Sequence, residues 1–140
     1  MNQALWATED LGDNYVINDD WSNAMTGTGK EKIVTYTGFR SSRIGAVVRK
    51  NRTILSPMAS RKIRDHSPDG FEWGYGGSGP AQLALALLLD VTGDPVIALS
   101  HYQRFKFRIV GGWGDQWKIT NLEIRLWIEK SEKEMKKDDK

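Results

Sequence analysis

The densest chemical pattern in the chain is Phe71 to Thr92, FEWGYGGSGPAQLALALLLDVT. A glycine-rich turn precedes a run of Ala and Leu. Pro80 suits the first helical position, because its missing N–H would have had no partner there. Gly79 is then the expected N-cap, with Gln82 folding back toward it. Helix N-termini leave backbone N–H groups free and carry partial positive charge, so they receive phosphate or carboxylate readily. Gly76, Gly77 and Gly79 would let a ligand approach the backbone closely, and Ser78 would add a hydroxyl. No Lys-Ser/Thr follows at P-loop spacing. The plainer alternative is a tight entry to a buried helix. Trp73 and Tyr75 lie two residues apart, so in an extended segment they share a face. They would form either a stacking platform for a base or a wall of the core.

A second source of chemistry is the charge distribution. The net charge of +2 conceals three blocks. Residues 1–29 hold five acids and no Lys or Arg. Residues 30–64 hold ten bases (Lys30, Lys32, Arg40, Arg43, Arg49, Lys50, Arg52, Arg61, Lys62 and Arg64) against Glu31 alone. Residues 65–100 again hold five acids and no Lys or Arg. Arginine forks bind phosphates in bidentate fashion, and Arg40 and Arg43 flank a hairpin turn. The basic block therefore points to an anionic partner, a nucleotide or a nucleic acid. The alternative is internal pairing with the acidic blocks.

Other chemistries find little support. The chain has no cysteine, which removes disulfides, thiolate catalysis and Cys-based zinc sites. His66 and His101 are far apart in sequence, so no metal and no cofactor is expected. Asp65, His66, Asp69 and Glu72 are the only clustered acid/base candidates, and their spacing matches no known catalytic arrangement. No catalytic residue is assigned. The longest apolar run, Ala81 to Leu89, is too short to span a bilayer. The N-terminus lacks the regions of a signal peptide. A cytoplasmic protein without a membrane partner is expected.

The elements that must position these residues follow from pattern. Residues 1–30 read as an irregular arm whose Trp6 and Trp21 should dock on the domain or on a second subunit, the basis for expecting a homo-oligomer. Residues 31–130 read as a single α+β domain. KIVTYTGF, IGAVVRK and TILS are three strands of an antiparallel meander, turning at RSSR and at Lys50-Asn51-Arg52. Alternation puts Val48 and Arg49 on opposite faces. Residues 58–70 read as a loop with a turn at Pro68-Asp69-Gly70. About three helices follow. The first runs from Ala81 to Val91 and ends at Gly93 with a positive φ. The second opens at Asp94-Pro95, with Ala98, Tyr102, Phe105 and Ile109 on one stripe and Arg104, Lys106 and Arg108 largely off it. GGWGDQ is a loop. Thr120 to Glu123 is a capping box that starts the third helix. Residues 131–140 are a charged tail.

YTGFR, a VV-containing strand, HSPDGFEWGYGGSGPAQLALALLLDVTGD, YQRFK and W-x-I-T-x-x-E-I-x-x-W together resemble a family of small proteins known only as a domain of unknown function, from bacteria, archaea, phages and plasmids. The resemblance covers about residues 33–130, and WGYGGSGPAQLALALL is its most specific part. It implies a compact α+β domain and a mobile-element setting, and it carries no activity. The leading expectation is a non-enzymatic binding protein of a phage or mobile element that recognises an anionic partner through the GGSGP turn and neighbouring arginines. It would sequester a nucleotide signal or inhibit a host defence protein. The rivals are an enzyme acting on a phosphoester and a structural, oligomeric accessory protein.

Overall fold

The computed structural model describes residues 31–138. The expected arm, with Trp6 and Trp21, lies outside the described residues. Strands β1 (Thr35–Ser41) and β2 (Gly45–Lys50) form an antiparallel hairpin, and the two-residue β3 (Thr53–Ile54) pairs with β2. A fourth strand, β4 (Trp117–Thr120), pairs antiparallel with the other side of β1, so the sheet order is β3-β2-β1-β4. The sheet therefore has four strands, where three were expected. β4 offers only four alternating residues, and Thr120 doubles as the cap of the next helix. Too little local pattern remains to mark a strand, and pairing with β1 decides it.

Among the described residues four helices accompany the sheet: α1 (Met58–Ile63), α2 (Ser78–Thr92), α3 (Pro95–Arg108) and α4 (Asn121–Asp138), with a 3-10 turn at Val110–Gly112. α1 replaces the first part of the expected 58–70 loop. α4 runs on through the charged segment after residue 130. Among the described residues, no helix is long and apolar enough to cross a membrane.

The register divides the sheet into two faces. Tyr36, Val48, Trp117 and Ile119 face the helices and belong to the core. Thr37, Phe39, Val47, Arg49 and Lys118 lie on the opposite face, so Val48 and Arg49 do separate as alternation requires. α2 is enclosed: every residue from Gly79 to Leu88 is buried. Each fully buried leucine of α2 contributes about 1.5–3 kcal/mol relative to exposure. Gly93 ends α2 at φ +67°, and its N–H donates to the Leu89 carbonyl. Asp94 caps α3 by accepting from the Val96 and Ile97 N–H groups. Thr120 and Glu123 form the capping box of α4, bonding at 2.9 and 3.2 Å.

Two features fix the packing. Gln82 is the one polar side chain inside α2, fully buried. It does not fold back to cap its own helix. Its Oε1 accepts from the His66 and Ser67 N–H groups, and its Nε2 donates to Ser60 Oγ and the Arg64 carbonyl. One side chain thus holds α1 and the loop after it against α2. At the other end, the Trp117 indole lies directly on β1 at Gly38, where any Cβ would fall inside the ring. Trp117 stacks on Trp113 at 4.1 Å and meets Trp73 edge-on at 5.7 Å.

Gln82→Leu should destabilise the fold by about 2–4 kcal/mol, because two N–H groups, a carbonyl and a hydroxyl lose their partner together. Urea unfolding measures it. Gly38→Ala should cost about 1–3 kcal/mol by displacing Trp117, with a change in tryptophan fluorescence of the folded protein as its signature.

Candidate functional site

The glycine turn occupies the corner where the sheet, α2 and the end of α3 meet. Trp73 is fully buried, and its Nε1 donates to the Gly114 carbonyl at 2.7 Å. Tyr75 is 52% exposed, and its ring lies against Gly77. The two rings do not share a face, contrary to expectation. Between them Gly74 adopts φ +91°, with its N–H bonded to the Val110 carbonyl, and this left-handed residue breaks the extended alternation. Trp73 is core wall. Tyr75 alone is available to a ligand.

α2 begins two residues earlier than expected. Gly77 is the N-cap and contributes no side-chain cap, Ser78 is the first helical residue, and Pro80 sits inside the first turn. The N–H groups of Ser78 and Gly79 therefore lack intrahelical acceptors, while Ala81 N–H reaches the Gly77 carbonyl. The first turn holds no acid to offset the helix dipole. Ser78 is exposed and Gly79 is buried against Glu72. Both open on a groove of about 730 Å³ that Asp69, Glu72 and Tyr75 also line. Gly76 meets the Phe107 ring, which is itself 70% exposed.

The two arginines assigned to this turn differ in their partners. Arg40 does lie beside it, 4.5 Å over the Trp73 ring. However, its guanidinium is taken up by Glu72 (2.9 Å), Asp115 (3.1 Å) and the Trp73 carbonyl (2.9 Å). It clamps the turn to the loop before β4. Arg43 lies in the β1–β2 turn, exposed and without an ion pair among the described residues, and its neighbours Ile44 and Gly45 line the same groove as Ser78 and Gly79. Lys106 of α3 departs from its expected place. It is buried rather than off the stripe, one helical turn beyond Tyr102 on the same face of α3. The spacing Ala98–Tyr102–Lys106 was the available signal, outweighed by the polarity of lysine.

The acid/base candidates are dispersed onto separate partners. Asp65 pairs with Arg61, Glu72 with Arg40, and His66 Nε2 lies 2.7 Å from the Tyr102 hydroxyl. Among the described residues, no group of three or more His, Asp or Glu side chains is placed to hold a metal. His101 is buried, with Nδ1 3.1 Å from Ser131 Oγ.

This turn, the helix pair behind it and the tryptophans around it fall within one family model. The chain belongs to DUF6166, a family of unknown function. The match spans residues 36–130, from β1 into α4. No curated protein and no solved structure matches the chain. The DUF6166 region includes Arg40, Arg43, Trp73, Tyr75, the glycine turn and Lys106, and it ends before the last charged turns of α4.

His66 carries a pH prediction. Burial first, then the charges of Arg64 and Lys106, push its imidazole below the usual histidine range. A depressed folded-state pKa means that the unfolded chain binds the proton more readily. Stability is therefore complete above the ordinary histidine pKa and is lost as pH falls below it toward the folded value. The melting temperature should drop between about pH 7 and pH 5, and His66→Gln should flatten that part of the profile.

Proposed function

We propose that this DUF6166 protein is a non-enzymatic binding protein for an extended anionic partner, with nucleic acid the chemistry that suits it best. The observation carrying this is how the basic block is used. Arg40, Lys50 and Arg61 are paired with Glu72 and Asp115, with Asp90, and with Asp65. Arg43, Arg49 and Arg52 are exposed and have no ion pair among the described residues. They string along one strand: Arg43 in the turn before β2, Arg49 on its outer face, and Arg52 in the turn after it. β2 alone spans about 20 Å, a row longer than one phosphate can use. Phe39 lies on the same face, with the Arg49 guanidinium 5.5 Å over its ring. Arginine and an aromatic ring on the outer sheet face suit a polyanion with stackable bases. In a mobile-element setting such a protein would shield nucleic acid from a host complex rather than sequester a small nucleotide.

Fluorescence anisotropy with labelled single- and double-stranded oligonucleotides tests this. Binding should weaken as salt rises. The triple variant Arg43→Gln/Arg49→Gln/Arg52→Gln should bind at least about tenfold more weakly and lose up to about three units of salt slope. An unchanged affinity and slope in the triple variant would refute the arginine row.

A further inference from the structure

We infer that residues 13–20 of this chain dock in the groove beside β2 and pair with its free edge as an added strand. β1 covers one side of β2 along its whole length, but β3 covers the other side only at Arg49 and Lys50. The Leu55 N–H extends that cover to the Val48 carbonyl. Backbone groups of successive strand residues point to alternate sides, so those of Ala46, like those of Val48, point away from β1. The Val48 N–H and both backbone groups of Ala46 have no backbone partner there among the described residues. Such an edge is a template for a further strand.

The groove of about 730 Å³ runs along this edge, and every residue from Ile44 to Val48 lines it. Six large apolar side chains are strongly exposed among the described residues, and three of them, Ile44, Ile54 and Tyr75, line this one groove. Apolar side chains gathered in this way mark a binding surface rather than scattered exposure. The surface is basic at both ends of the strand. Arg43 precedes Ile44, Arg52 sits in the turn before β3, and both are exposed without an ion pair among the described residues. On the opposite wall Glu72 is held by Arg40, so Asp69 is left to set against the two arginines. The occupant that fits is a short extended segment with an apolar centre and acidic ends.

Asp13-Asn14-Tyr15-Val16-Ile17-Asn18-Asp19-Asp20 has that composition. Tyr15-Val16-Ile17 is the only run of three β-favouring residues within positions 1–30, and residues 1–29 carry five acids and no Lys or Arg. As a strand the segment would turn Tyr15 and Ile17 to one face, toward the apolar wall. The chain is long enough to reach. Glu31 pairs with Arg125, which also bonds the Val91 carbonyl near the C-terminal end of α2. The groove lies at the other end of this 15-residue helix, about 20 Å away. Ile17 precedes Glu31 by fourteen residues, which span up to about 46 Å when extended. A second copy of the chain is the poorer occupant, because pairing two β2 edges about Ala46 sets arginine opposite arginine. Docked in the groove, the segment brings its acids to Arg43 and Arg52 and neutralises both ends of the basic row from within the chain. The docking does not depend on what that row binds.

The chain has no cysteine, so Asn18→Cys gives a single site for a nitroxide spin label on the full-length protein. NMR should show the Ala46 and Val48 amides broadened by the label, together with Gly70 across the groove. Adding Tyr15→Asp/Ile17→Asp should abolish the broadening and speed hydrogen exchange at Ala46 at least about tenfold, with the amides of α2 and α3 unshifted. Arg43→Glu/Arg52→Glu should weaken the broadening. A labelled protein mixed with an isotope-enriched, unlabelled one should show none. The inference fails if β2 is not broadened in the folded protein, or if the Tyr15/Ile17 variant leaves both broadening and Ala46 exchange unchanged. Broadening in the mixed sample would replace docking within the chain by exchange between copies, and indifference to the two arginine substitutions would overturn the charge complementarity.

Discussion

Helix α2 has no solvent face from Gly79 to Leu88, and the architecture answers that constraint. A helix apolar on all sides must be covered on all sides. Tyr36 and Val48 cover it from the sheet, α3 runs back along it, α1 closes the side near Gln82, and Ile124 and Ile128 of α4 complete the core. The short Gly93-Asp94 link is what allows α3 to return immediately. Leu83, Leu85, Leu87 and Leu88 all lose their water, which a single-sided helix could not achieve.

An enclosed helix leaves no room for unpaired polar groups, so those it meets are matched closely. Gln82 spends all its hydrogen-bonding capacity on neighbouring elements. Asp90 receives the Tyr36 hydroxyl at 2.5 Å and the Lys50 ammonium at 3.0 Å, tying the far end of α2 to β1 and β2. Burial and the Asp90 carboxylate hold Tyr36 neutral, well above the ordinary tyrosine range.

The same economy clarifies the charge blocks. Internal pairing and an anionic partner need not exclude one another. Bases on the helix-facing side of the sheet, Arg40 and Lys50, find acids on the elements packed there. Arg43, Arg49 and Arg52, in the turns or on the other face, have no ion pair among the described residues. Strand alternation decides which base goes which way, because successive side chains point to opposite faces. Arg49 and Phe39 thus share a face by register.

Much of the scaffold was legible because its signals are local. The apolar run of α2, the Gly93 terminus, the Asp94 and Thr120 caps, and the alternation of Val48 and Arg49 each rest on residues within a few positions of one another. The remainder depended on contacts distant in sequence. Trp117–Thr120 becomes a strand because β1 lies open beside it, and Met58–Ile63 becomes a helix because Gln82 anchors Ser60 and Arg64. The site divided in the same way. The sequence alone marked the glycine turn as a helix start with free amides, since glycine and proline act locally. Tertiary structure drew Arg40 into a clamp and sent Trp73 and Tyr75 to different surroundings. Those outcomes depend on which buried charges find partners, and only the packed neighbours decide that.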